Sequence, residues 1–208
     1  VSRFNRLIDV DDKIEGLRTI TEANRRGKAH NDVYVVNQSS FREIGRTPFI
    51  YWMGEEVLQL FVDYPKVGTT SEVLRGLDTG DDDRFVRKWW EVPKGNDEDW
   101  YAYMMSGSDN KYYEPLKNRV LWRGNGTEIK QHDGSIVPNE ERYLDSGLSY
   151  RSFGKRFTVR HLPQNCIPSD TSPAIYPGEL GEEVLLGYMN SSLVDFLLQG
   201  INPSMRYQ

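Results

Sequence analysis

Hydrophobic and polar positions change their rhythm along the chain. In residues 1–30, Ile8, Ile14, Leu17 and Ile20 recur at roughly helical spacing among many charges, which predicts a helix or helices. Arg25-Arg26-Gly27-Lys28 places basic residues and a glycine where such a helix would end. Val33-Tyr34-Val35-Val36 reads as a short buried strand, and Asn37 to Ile44 as a capped helical turn. Phe49 to Met53 reads as a strand or the start of a helix. Val57, Leu58, Leu60 and Phe61 then share one side of a helix that Pro65 stops.

From Val67 onward the pattern turns to strands. Thr69 to Leu74, Phe85 to Val92 and Trp100 to Met105 are predicted strands. Val120-Leu121-Trp122 and Glu128-Ile129-Lys130 are expected to flank a hairpin turn, Arg123 to Thr127. Leu148 to Arg151 and Arg156 to Leu162 form a second expected hairpin, with Gly154 and Lys155 at its tip. Ser169 to Pro177 reads as loop. Glu182 to Leu198 reads as one helix with an apolar stripe of Leu185, Met189, Leu193, Phe196 and Leu197, ended by Gly200 and Pro203. The expected fold is α+β: a twisted, mainly antiparallel sheet over about residues 67–165, preceded by a helical connector. The last helix packs on that sheet through Leu185, Met189, Leu193 and Phe196.

Composition narrows this. A chain of 208 residues with 12 Tyr, 8 Phe and 5 Trp can bury a sizeable core. No apolar run reaches the length of a membrane span, so no membrane partner is expected. The single cysteine, Cys166, excludes an intrachain disulfide framework and suits the cytoplasm. The net charge of −5 speaks against a uniformly basic nucleic-acid binder, but charge is segregated. Gly147 to Pro168 holds Arg151, Lys155, Arg156 and Arg160 and no acid, whereas Gly76 to Trp100 holds eight acids against four bases. The basic stretch reads either as a DNA-facing surface or as a solvated cationic strand pair.

Candidate chemistry is sparse. Asp81, Asp82 and Asp83 sit in a turn-rich loop, Gly76 to Asp83, that feeds an aromatic strand; no calcium-loop spacing follows them. The loop reads either as a recognition loop on a rigid frame or as a surface hairpin with solvated aspartates. His30, His132, His161 and Cys166 show no metal-ligand spacing, and no Gly-x-Ser-x-Gly elbow is present. Gly124-Asn125-Gly126 is too short for a dinucleotide fingerprint.

Gly76-Leu77-Asp78-Thr79-Gly80-Asp81-Asp82-Asp83-Arg84-Phe85 resembles the segment that opens the target-recognition domain of TaqI-like adenine-specific DNA methyltransferases. The nearest likeness is to the large methyltransferases of BREX phage-defence systems, where the pattern runs Gly-Leu-x-Thr-Gly-Asp-Asn-Asp-Arg-Phe. Asp82 stands where that pattern has asparagine. Four further matches follow the family's order. They are Tyr34 to Phe41 with Pro48 to Trp52, Gly147 to Arg151 with Arg156 to Pro163, Leu185 to Val194, and Asn202 to Gln208. The likeness spans roughly residues 30–208.

The resemblance implies a fragment of a restriction-modification or phage-defence enzyme. Residues 1–65 would be a connector from an amino-terminal catalytic domain outside this chain, and residues 66–208 the target-recognition domain. That domain's partner would be double-stranded DNA, whose site it selects for adenine methylation. S-adenosylmethionine would belong to the parent enzyme, and the fragment is expected to hold no cofactor and no activity. The glycine-rich cofactor loop is absent, and Asn202-Pro203-Ser204-Met205 has only the first half of an Asn-Pro-Pro-aromatic motif. Arg151, Lys155, Arg156 and Arg160 are the expected phosphate or guanine contacts, with Thr79, Asp81, Asp83 and Arg84 adding base or backbone contacts. Two other classes compete: a metal-dependent hydrolase using the Asp81–Asp83 loop, and a carbohydrate- or protein-binding module using Trp89, Trp90, Trp100 and Tyr101. A standalone mimic of a recognition domain is a further alternative.

Overall fold

The computed structural model describes residues 1–43, 50–93, 95, 98–105, 108–202 and 206–207. Contacts divide the chain into two units, Val1–Lys66 and Val67–Gln208. Ile44, Pro48 and Phe49, the acidic-loop positions Asn96 and Asp97, and Pro203, Ser204, Met205 and Gln208 lie outside the described residues.

The first unit opens on a strand, not a helix. β1 (Ser2–Asn5) pairs antiparallel with β2 (Val33–Val36), Ser2 facing Val36 and Asn5 facing Val33. The helical spacing holds from Asp12, whose carboxylate accepts from the Ile14 and Glu15 amides at 3.0 Å and caps α1 (Lys13–Arg25). Gly27, at φ +66°, follows the end of that helix. Gln38–Glu43 is a 3-10 helix, and α2 (Glu55–Asp63) buries Leu58. Phe4 stacks on Tyr51 at 4.6 Å between ring centroids, and Tyr34 meets Tyr51 edge-on. These rings fill in for the few aliphatic residues of the unit.

The second unit is α+β, with two four-stranded sheets where one was expected. α3 (Val67–Thr70) leads into β3 (Ser71–Leu74), and α4 (Asp82–Phe85) into β4 (Val86–Lys88). Then come β5 (Trp100–Met104), β6 (Asn118–Leu121), α5 (Arg123–Lys130), β7 (Gly147–Tyr150), β8 (Val159–Leu162), β9 (Cys166–Pro168) and β10 (Ala174–Pro177). The first sheet runs β3-β10-β7-β8 and is wholly antiparallel; the second runs β4-β6-β5-β9, with β9 parallel to β5.

Alternation along the first sheet decides which side chain goes where. Leu148, Tyr150, Val159 and Ile175 point to one face and join Phe157, Leu185, Val194 and Tyr207 in a buried cluster. Leu162, Ala174 and Tyr176 point to the other face, where they meet Met104 and Cys166 of the second sheet. A further core, built on Leu77, Phe85, Tyr103, Val120, Trp122 and Ile129, lies on the second sheet.

Three expected elements differ. Glu128 to Lys130 is helical, because Gly124, Asn125 and Gly126 all take left-handed dihedrals that turn the chain directly from β6 into a helical segment. Ser169 to Pro177 is not all loop: its second half is β10, an inner strand whose sequence, Ala-Ile-Tyr-Pro, is too short to announce itself. The last helix is two, α6 (Glu182–Met189) and α7 (Ser192–Ile201), bent by 59°. Asn190 ends the first, and the Ser191 hydroxyl caps the second by accepting from the Val194 amide. The bend interrupts the predicted stripe: Leu185 and Val194 are buried, whereas Leu193 is 48% and Phe196 56% exposed.

Urea denaturation separates the straight helix from the bent one. Leu185→Asp puts a carboxylate into the core and is expected to cost several kcal/mol, about 3 or more, or to prevent folding. Leu193→Asp is expected to stay within about 1 kcal/mol of the parent.

Candidate nucleic-acid interface

The loop from Gly76 to Asp83 folds on its own polar atoms. Leu77 is buried, and its backbone bonds Pro168 and Asp170 while its carbonyl also accepts from the Tyr103 hydroxyl at 2.8 Å. Gly76 approaches the Pro168 and Ser169 carbonyls too closely for any Cβ, and Gly80 sits at φ +69° against Gly134. The Thr79 hydroxyl donates to Asp82 at 2.6 Å, Asp78 accepts from the Gly80 amide at 3.2 Å, and Asp81 accepts from the Arg84 amide at 3.0 Å. Thr79 is almost fully buried, so it does not offer a surface contact. Asp81 serves as the cap of α4. Asp83 and Arg84 are exposed, and Arg84 lies 3.9 Å from Glu128 and over the Phe85 ring.

The four cations of the expected basic hairpin part company. β7 and β8 do pair, Gly147 with Leu162 and Tyr150 with Val159, and the intervening turn carries Lys155 and Arg156 in the open. Neither has a carboxylate partner among the described residues. Arg151 leans over Gly154 and is ion-paired with Asp109. Arg160 is a correction: its side chain is 0% exposed and pairs with Glu114 at 3.3 Å. Its place in the register explains this. Val159 and His161 face the helices, so Arg160, between them, points into the space between the sheets. Burial pulls its guanidinium below the usual range, against the raising field of Glu114. A phosphate cannot reach it. The residues that sequence reasoning missed are Asp109 and Glu114. Their segment carries no strand pattern, yet Tyr112 bonds the outer edge of β8 through Val159 and His161.

A cavity of about 260 Å³ opens beside the loop, lined by Asp78, Thr79, Asp82, Tyr103, Asp170 and Thr171 among others. Burial, then the Asp78 carboxylate, pushes the Asp170 carboxyl up, while Arg75 opposes the shift. No group of three or more His, Cys, Asp or Glu side chains among the described residues is arranged to hold a metal ion. Burial pushes the Cys166 thiol up to about 12, which makes it a poor nucleophile. Trp89 and Trp90 stand 57% and 59% exposed, while Trp100 and Tyr101 are half-buried in β5. No single helix among the described residues is long and apolar enough to cross a membrane.

A scan against protein-family models and a search of curated proteins each return no match to this chain.

Two substitutions test this geometry. Arg160→Met leaves Glu114 unpaired in the interior and is expected to cost about 3–5 kcal/mol, with much of the loss recovered when Glu114→Leu is added; chemical denaturation of both variants reads it. Asp170→Asn removes a carboxylate whose folded-state pKa is raised. The parent is penalised above that raised value and relieved as pH falls and the group takes up its proton. The variant should therefore be the more stable at pH 7, and its advantage should shrink on acidification toward the ordinary aspartate range.

Proposed function

We propose that the Val67–Gln208 unit recognises duplex DNA as the target-recognition domain of an adenine-specific DNA methyltransferase. In this reading the methyl donor and the pocket for the flipped base belong to a separate catalytic domain. The unit supplies site selection.

One observation carries the reading: the segments that resemble the family are bonded to one another. Asn190, in Leu185 to Val194, donates to the Val159 carbonyl at 2.7 Å and accepts from its amide at 3.0 Å, within Arg156 to Pro163. Tyr207, in the last segment, bonds the Ser152 carbonyl at 2.7 Å and packs edge-on against Phe157. The matching residues are thus the frame that holds the β7–β8 turn. On that frame Lys155 and Arg156 are exposed, with Phe153 beside them, and ready to neutralise phosphates. Asp83 and Arg84 supply a second group of exposed polar side chains. Arg151 keeps its role only if DNA displaces Asp109, since an arginine held by a carboxylate has spent its fork.

Fluorescence anisotropy with a labelled duplex, titrated from low salt upward, is the test. Lys155→Ala with Arg156→Ala is expected to reduce the slope of log affinity against log salt by about 0.9 per lost contact, up to about 1.8. Stability should barely change, because exposed charges contribute little. Unchanged affinity and slope in the double variant would remove the hairpin from the interface, and absence of any salt-sensitive binding by the parent would overturn the reading.

A further inference from the structure

The segment 108–116 brings two acids to the β7–β8 hairpin, and two arginines of the hairpin meet them. Tyr112 bonds the outer edge of β8 through its amide, to Val159 at 2.9 Å, and through its carbonyl, to His161 at 3.0 Å. The segment runs parallel to β8 there, with Tyr112 beside Arg160, and Lys111 adds a bond to the Asn190 carbonyl at 2.8 Å. Glu114 pairs with Arg160, and Asp109 with Arg151. After burial and Glu114, the field at Arg160 comes from Arg151, which lowers its pKa, and from Asp109, which raises it. All four charges thus belong to one network of alternating sign.

The two pairs differ in their access to water. The Arg160 and Glu114 side chains are 0% and 9% exposed. Such a pair is costly to break, because either charge left alone in the interior is uncompensated. Glu114 also accepts from the Ser108 hydroxyl and, at 3.3 Å, from the Asn110 side chain, so it fixes the turn on either side of Asp109. Asp109 itself is 70% exposed and Arg151 23%. An ion pair at the surface contributes little, so another anion can replace its carboxylate. One pair is therefore a lock for the segment. The other is a contact that can open while the backbone stays in place.

Arg151 is held ready for an oxyanion at that point. Its amide is tied to the Thr158 carbonyl at 3.1 Å, and its side chain lies over Gly154, where an added methyl would stand 3.1 Å from Nε. Nε is buried without a hydrogen-bond partner, so what the guanidinium offers a ligand is its Nη end. Asp109 takes that end through Nη1, and it is the one carboxylate paired with Arg151 among the described residues. Lys155 and Arg156, in the turn of the same hairpin, are exposed and have no carboxylate partner among the described residues. An oxyanion of the chain itself thus occupies Arg151, in a hairpin whose other two surface cations remain open.

We propose that Asp109 is an internal anion that masks Arg151 and holds down the affinity of the hairpin for nucleic-acid phosphate. The inference rests on the DNA-recognition reading above. A phosphate that reaches Arg151 must displace Asp109, which trades one charge-assisted bond for another and gains little. Lys155 and Arg156 make their contacts without such an exchange. Glu114 keeps the segment docked on β8 throughout, so opening needs only the Asp109 side chain to swing away.

Fluorescence anisotropy with a labelled duplex, across a range of salt, tests the mask. Asp109→Asn removes the charge and keeps the shape. It is expected to bind about fivefold more tightly than the parent, as one surface charge contact allows. The slope of log affinity against log salt should steepen by about 0.9, for one added phosphate contact. Asp109→Ala should behave in the same way. Arg151→Ala is expected to stay within about twofold of the parent, because Asp109 already cancels its contact. In the Arg151→Ala background, Asp109→Asn should bring no gain. That coupling separates a mask on Arg151 from the mere removal of a negative charge near DNA. A gain that survives without Arg151, or no gain from either Asp109 variant, overturns the proposal. Urea denaturation of each variant monitors folding, which the Glu114–Arg160 pair should preserve. Where the parent binds and the Asp109 variants gain nothing, the mask alone falls. Where neither the parent nor the variants bind, the DNA-recognition reading falls and takes the mask with it.

Discussion

The outer edge of β8 is the constraint on which the second unit depends. β8 ends the β3-β10-β7-β8 sheet, so one side of it would present unpaired amides and carbonyls in the middle of the fold. Two groups close that edge. Asn190 takes both backbone groups of Val159, and it donates as well to Leu186 of its own helix. Tyr112 adds bonds to Val159 and His161 from the other direction. The helix pair and the 108–116 segment are therefore held in place by the same short strand. Glu114 arrives with that segment, and its carboxylate makes the buried charge of Arg160 tolerable.

Much of this was legible and some was not. The β7–β8 hairpin, the strand at Trp100 and the helix after Gly54 follow from local pattern, because short apolar runs between turn residues and a helical period are read over neighbouring positions. The two-sheet arrangement was not legible, since β9 and β10 are three and four residues long and owe their strand character to partners far off in sequence. The break at Asn190-Ser191 was written in capping chemistry that a continuous apolar stripe concealed. The candidate site divided in the same way. Cations could be counted along residues 147–168, but whether each faced water or a carboxylate depended on the register of β8 and on a segment without pattern. Alternation sets Arg160 on the face opposite Val159 and His161, but that face is interior only because the second sheet covers it.

The polar loop at Gly76 and the β4–β6 pair use charge in opposite ways. In the loop, Asp78, Asp81 and Asp82 spend their oxygens on turn amides and a buried hydroxyl, so a run of acids becomes scaffold. On β4 and β6 the backbone carbonyls accept from Arg87 and Arg119, for which no carboxylate lies within ion-pair distance among the described residues.

The order of the first sheet also has a kinetic side. β3 is an outer strand whose sole partner in the sheet is β10, and Leu74 lies opposite Ala174, 174 − 74 = 100 positions later in the chain. Such a pairing waits on the closure of a long loop, and the entropy of that closure is lost before the contacts repay it. The strand that completes this sheet leaves the ribosome only after the intervening 99 residues have been made, because Ala174 follows Leu74 by 100 positions. Until then Ser71 to Leu74 has nothing to pair with, and the unit matures as a whole, late, instead of growing outward from its first residues.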